Sequence, residues 1–518
     1  MTKKTLFIAF VVSLGGFLFG FDAGVISGVM EKVTPEFELK ELQEGWVTSS
    51  PTFAAMISML IAGRLSDLIG RKKILLSVAF LYAFSAITSA YAFSYETLYI
   101  SRMVGGLAFG AALILAPTYI AEISTAENRG KLVSIQQLNI VLGFFAAFLS
   151  NYYFNHFNVS GSDILNDENV WRWMLGVEFF PAIFYFGLLF FVPESPRWLY
   201  TQNRIDQAKL VLERIHGIEQ AEVEIHSIEK NIEESEVSKS VSIRELFAPA
   251  LRFIMLVGIT LGILQQVTGI NAIYFYATSI FKQTGIGTDA AFSSGVLLSF
   301  TTVVFTLLAI YLIDRMGRRP LLLLGMSGIS ISLLLCAYSF NQATYEISAD
   351  EIDSFESSFE KIKMCKLEQF QDKTYHSDVA FKNDIKAAIG NQVYEKNEGD
   401  ILEAAINIDA TLVLIGILVF IACFAFSLGP VMWVMLSEIF PNRYRGLAIG
   451  VIGFINSFSS WVIQLIFPWE ISNLGSALTF FIYGLIATIG VLLFIKILPE
   501  TKGKSLEQLE NELVKSNN

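Results

Sequence analysis

The chain has 518 residues, 53% of them hydrophobic and only 16% charged, with a formal net charge of −11 and a mean hydropathy of +0.53. Soluble domains average about 25% charged residues, so the composition argues against a soluble enzyme, and no clustered basic face supports nucleic-acid binding. The acidic excess is local: the stretch from Asn341 to Asp409 holds fifteen Asp and Glu against seven Lys and Arg.

Apolar runs recur at 6–28, 48–66, 74–93, 97–119, 132–154, 173–192, 253–277, 291–313, 320–340, 411–436, 446–467 and 475–497. Each approaches the ~20 residues that cross ~30 Å of hydrocarbon. Helix is the expected state, because open strands would leave backbone groups unpaired in lipid. The first run follows Lys3 and Lys4 but lacks a small-residue cleavage site, so it reads as a retained helix. The connections after spans 2, 4, 8 and 10 carry Arg71, Lys72 and Lys73; Arg129 and Lys131; Arg315, Arg318 and Arg319; and Arg443 and Arg445. The alternate loops are poor in basic residues. The expected topology is a multi-pass protein of the cell membrane, plasma or inner, with both termini in the cytoplasm.

Two polar stretches interrupt this order. Residues 198–251 form a cytoplasmic linker with short amphipathic segments, such as Asp206 to Ile215. Residues 341–409 form an extracellular insertion, for which helical spacing from Ile347 to Leu367 predicts a small helical unit. Cys336, Cys365 and Cys423, like the four histidines, are scattered without metal or catalytic spacing. No cofactor or enzyme activity is expected.

The chain repeats itself. Asp67-Leu68-Ile69-Gly70-Arg71-Lys72 returns as Asp314-Arg315-Met316-Gly317-Arg318-Arg319, 247 positions later. Glu122, seven before Arg129, returns as Glu438, seven before Arg445, at an offset of 316. Pro193-Glu194 returns as Pro499-Glu500, at an offset of 306. The jump from 247 to 316 equals the 69 residues of the insertion. The predicted fold is therefore all-α: twelve transmembrane helices in two six-helix halves, the layout of the major facilitator fold. The first half is 1–197, the linker 198–251, the second half 252–500 with its insertion, and the tail 501–518. Glu122 with Arg129, and Glu438 with Arg445, are expected to pair across short loops. With Asp67, Arg71, Asp314, Arg318, Glu194 and Glu500 they would lock the halves together on the cytoplasmic side. The alternative is that the basic residues only set topology.

Gly63-Arg64-Leu65-Ser66-Asp67-Leu68-Ile69-Gly70-Arg71-Lys72-Lys73 resembles the general major facilitator loop signature. Pro193-Glu194-Ser195-Pro196-Arg197-Trp198-Leu199, Gln265-Gln266-Val267-Thr268-Gly269-Ile270-Asn271 and Pro499-Glu500-Thr501-Lys502-Gly503 are similar to signatures of the sugar porter family. The resemblance covers nearly everything except 341–409. It implies carriage of a monosaccharide, hexose or pentose, by alternating access, with the chain working as a monomer. By family position Gln137, Gln265, Gln266, Asn271, Asn456, Trp433 and Phe19 are sugar ligands. The chemistry agrees: each amide offers a donor and an acceptor to a hydroxyl-rich solute, and Trp433 offers an aromatic platform. For any single intramembrane amide the alternative is a helix–helix hydrogen bond. The sequence departs from the family at Phe275, Ser457 and Thr302, which leaves the particular sugar open. Gly429-Pro430 is expected to break span 10.

Asp22 lies inside span 1, where a carboxylate costs several kcal/mol unless paired or protonated. Arg102 of span 4 is the expected partner. An Asp here resembles proton-coupled sugar symporters, so sugar and H+ are the expected cargo. A permanent structural ion pair, and hence passive carriage, is the alternative. A polyol carrier or a membrane sugar sensor remain further alternatives, although the residues after Glu500 number only eighteen.

Overall fold

Backbone N–H and C=O groups find no water in a bilayer core, so a spanning chain pairs them within helices. The computed structural model follows this rule and describes residues 2–125, 128–157, 165–237, 242–348, 367–371, 373–504 and 506–513. Eleven helical stretches among the described residues are long and apolar enough to cross a membrane. The last, Asn442–Ile497, is one helix only by its hydrogen bonding. Gly475 turns the chain at φ +81°, so it supplies both span 11 and span 12. The protein is thus a multi-pass, twelve-span helical bundle.

Spans 1 to 5 are Lys3–Glu36, Glu41–Ile69, Arg71–Ala90, Tyr95–Ile123 and Arg129–His156. Span 6 is split into Val170–Gly176 and Phe179–Leu189. Span 7 runs through Arg252–Val267 and Ile270–Phe275, followed by a short helix at Ala277–Lys282. Spans 8 and 9 are Thr288–Met316 and Arg318–Asn341. Span 10 is broken into Ala410–Phe426 and Leu428–Ile439. The linker holds helices Ile205–His216 and Ile218–Val237.

The insertion adds something the hydropathy pattern did not suggest. Strands Thr344–Tyr345 and Ile406–Asn407 pair antiparallel and close it into a stem. Helices Asp378–Ile389 and Asn391–Ala405 fold above that stem. Tyr345, Phe381, Ile385, Tyr394 and Leu402 form a small apolar core of their own. Most of the stretch from Ile347 to Leu367, predicted helical, lies outside the described residues.

The two halves meet unevenly. At the end bearing the insertion, Val25, Ile26 and Val29 of span 1 join Phe281, Phe292 and Leu298 of the second half in one buried cluster. At the end bearing the termini, Ile8, Leu75, Ile120, Leu132 and Leu189 belong to a separate cluster with no member from the second half. The bundle is therefore sealed at the insertion end and divided at the terminal end.

Within the first half, spans 1 and 5 cross at backbone distance. A Cβ on Gly20 would lie 2.0 Å from the carbonyl oxygen of Ile140, and one on Gly143 would lie 2.0 Å from that of Phe17. No side chain fits without moving a helix. Gly143→Ala should destabilise the protein by about 1–3 kcal/mol, the usual cost of overpacking. Gly187→Ala, where nothing lies within 4 Å, should not. Melting curves in detergent compare the two, and equal melting temperatures would contradict this crossing.

Candidate functional site

The site begins where two helices break. Span 7 turns at Thr268 and Gly269, the latter left-handed at φ +86°. Span 10 breaks at Ser427, whose hydroxyl takes the carbonyl of Cys423 at 2.6 Å in place of the missing helical donor. Gln265 lies between them. Its Nε2 donates to the carbonyl of Leu428 at 2.9 Å and, more weakly, to that of Gly429 at 3.4 Å. Gln265 thus holds the two broken helices together, and the break expected near Gly429 and Pro430 falls just before them.

From Gln265 a chain of amides runs toward the other half. Asn456 Nδ2 donates to Gln265 Oε1 at 2.7 Å and to the carbonyl of Gly262 at 2.8 Å. Gln266 Nε2 donates to Asn456 Oδ1 at 3.2 Å. Asn271 Nδ2 donates to Gln266 Oε1 at 2.8 Å and to Ser460 Oγ at 2.6 Å. Gln464 Nε2 donates to Ser460 Oγ at 2.7 Å, and Thr52 Oγ1 of span 2 donates to Gln464 Oε1 at 3.0 Å. Four of the predicted ligands are therefore joined directly: Gln265, Gln266, Asn271 and Asn456. Ser460 and Gln464 were missed, although Asn456, Ser460 and Gln464 recur every fourth residue on one helical face.

The remaining predicted ligands lie outside this hydrogen-bonded set. Gln137 is half-buried, and its amide makes no hydrogen bond among the described residues. Trp433 is 41% exposed. Phe19 packs its ring 4.8 Å from Phe109 and 6.4 Å from Phe144. Phe144 in turn lies 4.8 Å from Tyr274 of span 7, so aromatic rings bridge the halves beside the amides. Tyr274 and Thr302 bond through their hydroxyls.

Asp22 and Arg102 meet as expected, Nη1 to Oδ1 at 3.2 Å, both buried. Arg102 Nε also donates to the carbonyl of Val47 at 3.3 Å. A third charge-bearing group went unnoticed in the sequence. Glu178, at the joint of span 6, is buried, lies within electrostatic reach of Asp22 and Arg102, and leaves Oε1 without a hydrogen bond. Its signal was available: an acid inside the apolar run Val177-Glu178-Phe179.

At the terminal end the duplicated motif adopts one geometry twice. Arg71 grips Glu122 at 3.0 and 3.2 Å, and Arg318 grips Glu438 at 2.8 and 3.2 Å. Glu194 accepts the backbone N–H groups of Arg71 and Lys72 at the start of span 3. Glu500 does the same for Arg318 and Arg319 at the start of span 9. A carboxylate there satisfies orphan donors and complements the helix dipole. Asp67 pairs with Arg71 at 2.7 Å. The expected pairing of Glu438 with Arg445 is corrected: Glu438 belongs to Arg318, while Arg445 donates to the carbonyl of Phe440 at 3.2 Å. Glu122 likewise belongs to Arg71, and the side chains of Arg129 and Asp314 lie outside the described residues. The reason is packing. Spans 2 and 4 lie side by side, so the end of span 4 faces the loop after span 2, not its own following loop. These bonds also lie within single halves, so they brace each half and do not join the two.

The model of the family described as "Sugar (and other) transporter" matches residues 8–351 and 392–513. The chain belongs to this sugar transporter family. It is 32% identical to an arabinose-proton symporter of Bacillus subtilis, over 98% of this chain and 95% of the relative. It is 31% identical to a D-xylose transporter of Levilactobacillus brevis, over 98% and 96%. The inward open conformation of the xylose transporter XylE from E. coli superposes with a TM-score of 0.73 at 27% identity, over 98% and 99% of the two chains. As a sugar transporter family member the chain is a carrier and not an enzyme.

Because Gln265 Nε2 braces the broken helices, Gln265→Leu should cost about 1–3 kcal/mol by orphaning its partners. Gln137→Leu, which breaks no internal bond, should stay within about 0.5 kcal/mol of the parent. Thermal unfolding without added solute separates them. A Gln265→Leu protein as stable as the parent would show that the amide is no brace.

Proposed function

We propose that the protein moves a monosaccharide, hexose or pentose, across the cell membrane together with protons, by alternating access between its halves. The observation that carries this reading is the pairing of an amide chain on broken helices with a buried Asp22–Arg102 pair. An uncharged sugar presents hydroxyls that both donate and accept, and the amides of Gln266, Asn271, Asn456 and Gln137 match them at low electrostatic cost. Phe19 and Trp433 supply apolar faces for the sugar ring. The basic loops favour a cytoplasmic location for the termini, so the divided end faces the cytoplasm and the sealed end faces outside. A named relative that couples arabinose to protons supports the same energy source.

Charge balance gives the coupling step. Asp22 pairs with Arg102, and Glu178 is a second buried acid within electrostatic reach of that pair, so two ionised acids would leave one negative charge uncompensated. A proton neutralises it. Protonation of Asp22 from outside releases Arg102 and lets the first half rearrange once sugar is bound. Deprotonation toward the cytoplasm restores the pair. The ion pairs of Arg71 and Arg318 keep each half rigid, so that the halves move as bodies.

Uptake by proteoliposomes, with a panel of sugars and with or without an imposed proton gradient, tests this. The parent should accumulate one or more monosaccharides only with the gradient. Asp22→Asn should abolish accumulation while sparing sugar exchange. An Asn variant that still concentrates sugar would refute proton coupling through Asp22 and leave a passive carrier.

A further inference from the structure

The family match skips residues 352–391, yet the insertion is built onto the transporter through charged groups, Lys382 buried and Glu398 partly so. Lys382 Nζ donates to Gln283 Oε1 at 2.5 Å, and Gln283 Nε2 donates to Glu398 Oε1 at 3.2 Å. Lys382 and Glu398 lie 3.6 Å from one another. Both ends of the Gln283 amide are therefore held by the insertion. The residue before it is Lys282, the last of the short helix Ala277–Lys282 that follows span 7. Lys282 forms an ion pair with Glu31 of span 1, in the opposite half.

The fit around this point is close. A Cβ on Gly399 would meet Lys282 Cε at 2.5 Å, and one on Gly285 would meet Ile406 Cγ2 at 2.3 Å. Asp378 Oδ2 accepts the N–H of Ser476 at 2.8 Å, which roots the insertion on the turn between spans 11 and 12. At its far side Gln392 Nε2 donates to Glu38 Oε1 at 2.7 Å, again in the opposite half. Burial would raise the Glu398 carboxyl, but the Lys382 and Lys282 ammoniums outweigh it and hold Glu398 below the usual range. Burial likewise opposes the charge on Lys282, and Glu31 outweighs it. Glu31, Lys282, Glu398 and Lys382 thus alternate in sign from one half into the insertion. Charges drawn even partly out of water are costly unless paired, so a passive appendage gains nothing by carrying them.

We propose that Lys382 and Glu398 are positioning residues for transport: the insertion holds the end of the span 7 arm where Lys282 can reach Glu31, and so keeps the insertion end shut. The proposal rests on the alternating-access reading. It adds a requirement that two contacts, Lys282 with Glu31 and Gln392 with Glu38, break each time that end opens.

Two experiments on the full chain in proteoliposomes test it, with Cys336, Cys365 and Cys423 replaced by alanine. The first bridges the exposed pair Glu38→Cys and Gln392→Cys with a short bis-methanethiosulfonate reagent, which spans the reach of the two lost side chains. Sugar uptake should fall at least about tenfold, the effect of removing one state from a two-state cycle, and return on reduction. Cross-linked protein that transports at the full rate would overturn the proposal. The second places Thr48→Cys in the closed face of span 2, one turn outward from Thr52, and follows its labelling by an impermeant maleimide without sugar. Lys382→Met with Glu398→Gln should raise the labelling rate about tenfold, a shift of one factor of ten in the open population. The exposed Lys373→Met should leave it unchanged. Equal rates in parent and double variant would sink the proposal. If the parent moves no sugar at all, the sugar reading fails while the labelling comparison still decides this one.

Discussion

A helix that breaks inside hydrocarbon must find new partners for the backbone groups it loosens, and this constraint organises the centre of the protein. Spans 7 and 10 both break within their length. Ser427 repairs one loose carbonyl, and Gln265 reaches from the first helix to the second. Once Gln265 is committed there, Asn456, Gln266 and Asn271 fall into a chain behind it. The polar surface that can meet a sugar is thus the by-product of mending two helices. A purely structural role for Gln265 and a ligand role for its neighbours are compatible, because one amide has two ends.

The same logic of pairing governs the charges. At the terminal end each half carries its own closed set, Arg71 with Glu122 and Glu194, Arg318 with Glu438 and Glu500. Their partners lie within one half, so parting the halves costs none of these bonds. At the insertion end the opposite holds. Ser27 with Thr278, Thr52 with Gln464 and Lys282 with Glu31 all cross between halves. Opening that end therefore requires something that favours the parted state, and in the proposed cycle protonation of Asp22 supplies it.

In the proposed transport cycle, Asp22, Arg102 and Glu178 make a buried ion pair more than a brace. Such a pair is weak evidence for stability, since desolvation offsets most of the attraction. In that proposal, the second buried acid, Glu178, makes the charge count depend on one proton. The insertion uses buried charges differently. There two acids, Glu31 and Glu398, meet two lysines, Lys282 and Lys382, and the formal charges balance.

Much of this was legible in the sequence. The hydropathy runs, the repeat offsets and the basic loops determined twelve spans, two halves and a displaced insertion, because membrane thickness and charge asymmetry act on composition alone. Asp22 found Arg102 because a lone acid in lipid has few other choices. What the sequence could not decide was which neighbour each polar group would take. Glu438 sits seven residues from Arg445 but bonds Arg318, because helices pack by face and not by distance along the chain. Glu178 drew no notice in the sequence, and only folding brought span 6 beside span 1, which carries Asp22. The strand stem of the insertion, and the path from Lys382 through Gln283 to Glu31, join residues up to 351 positions apart. Those contacts exist only in the folded bundle, and they decide which of its ends is shut.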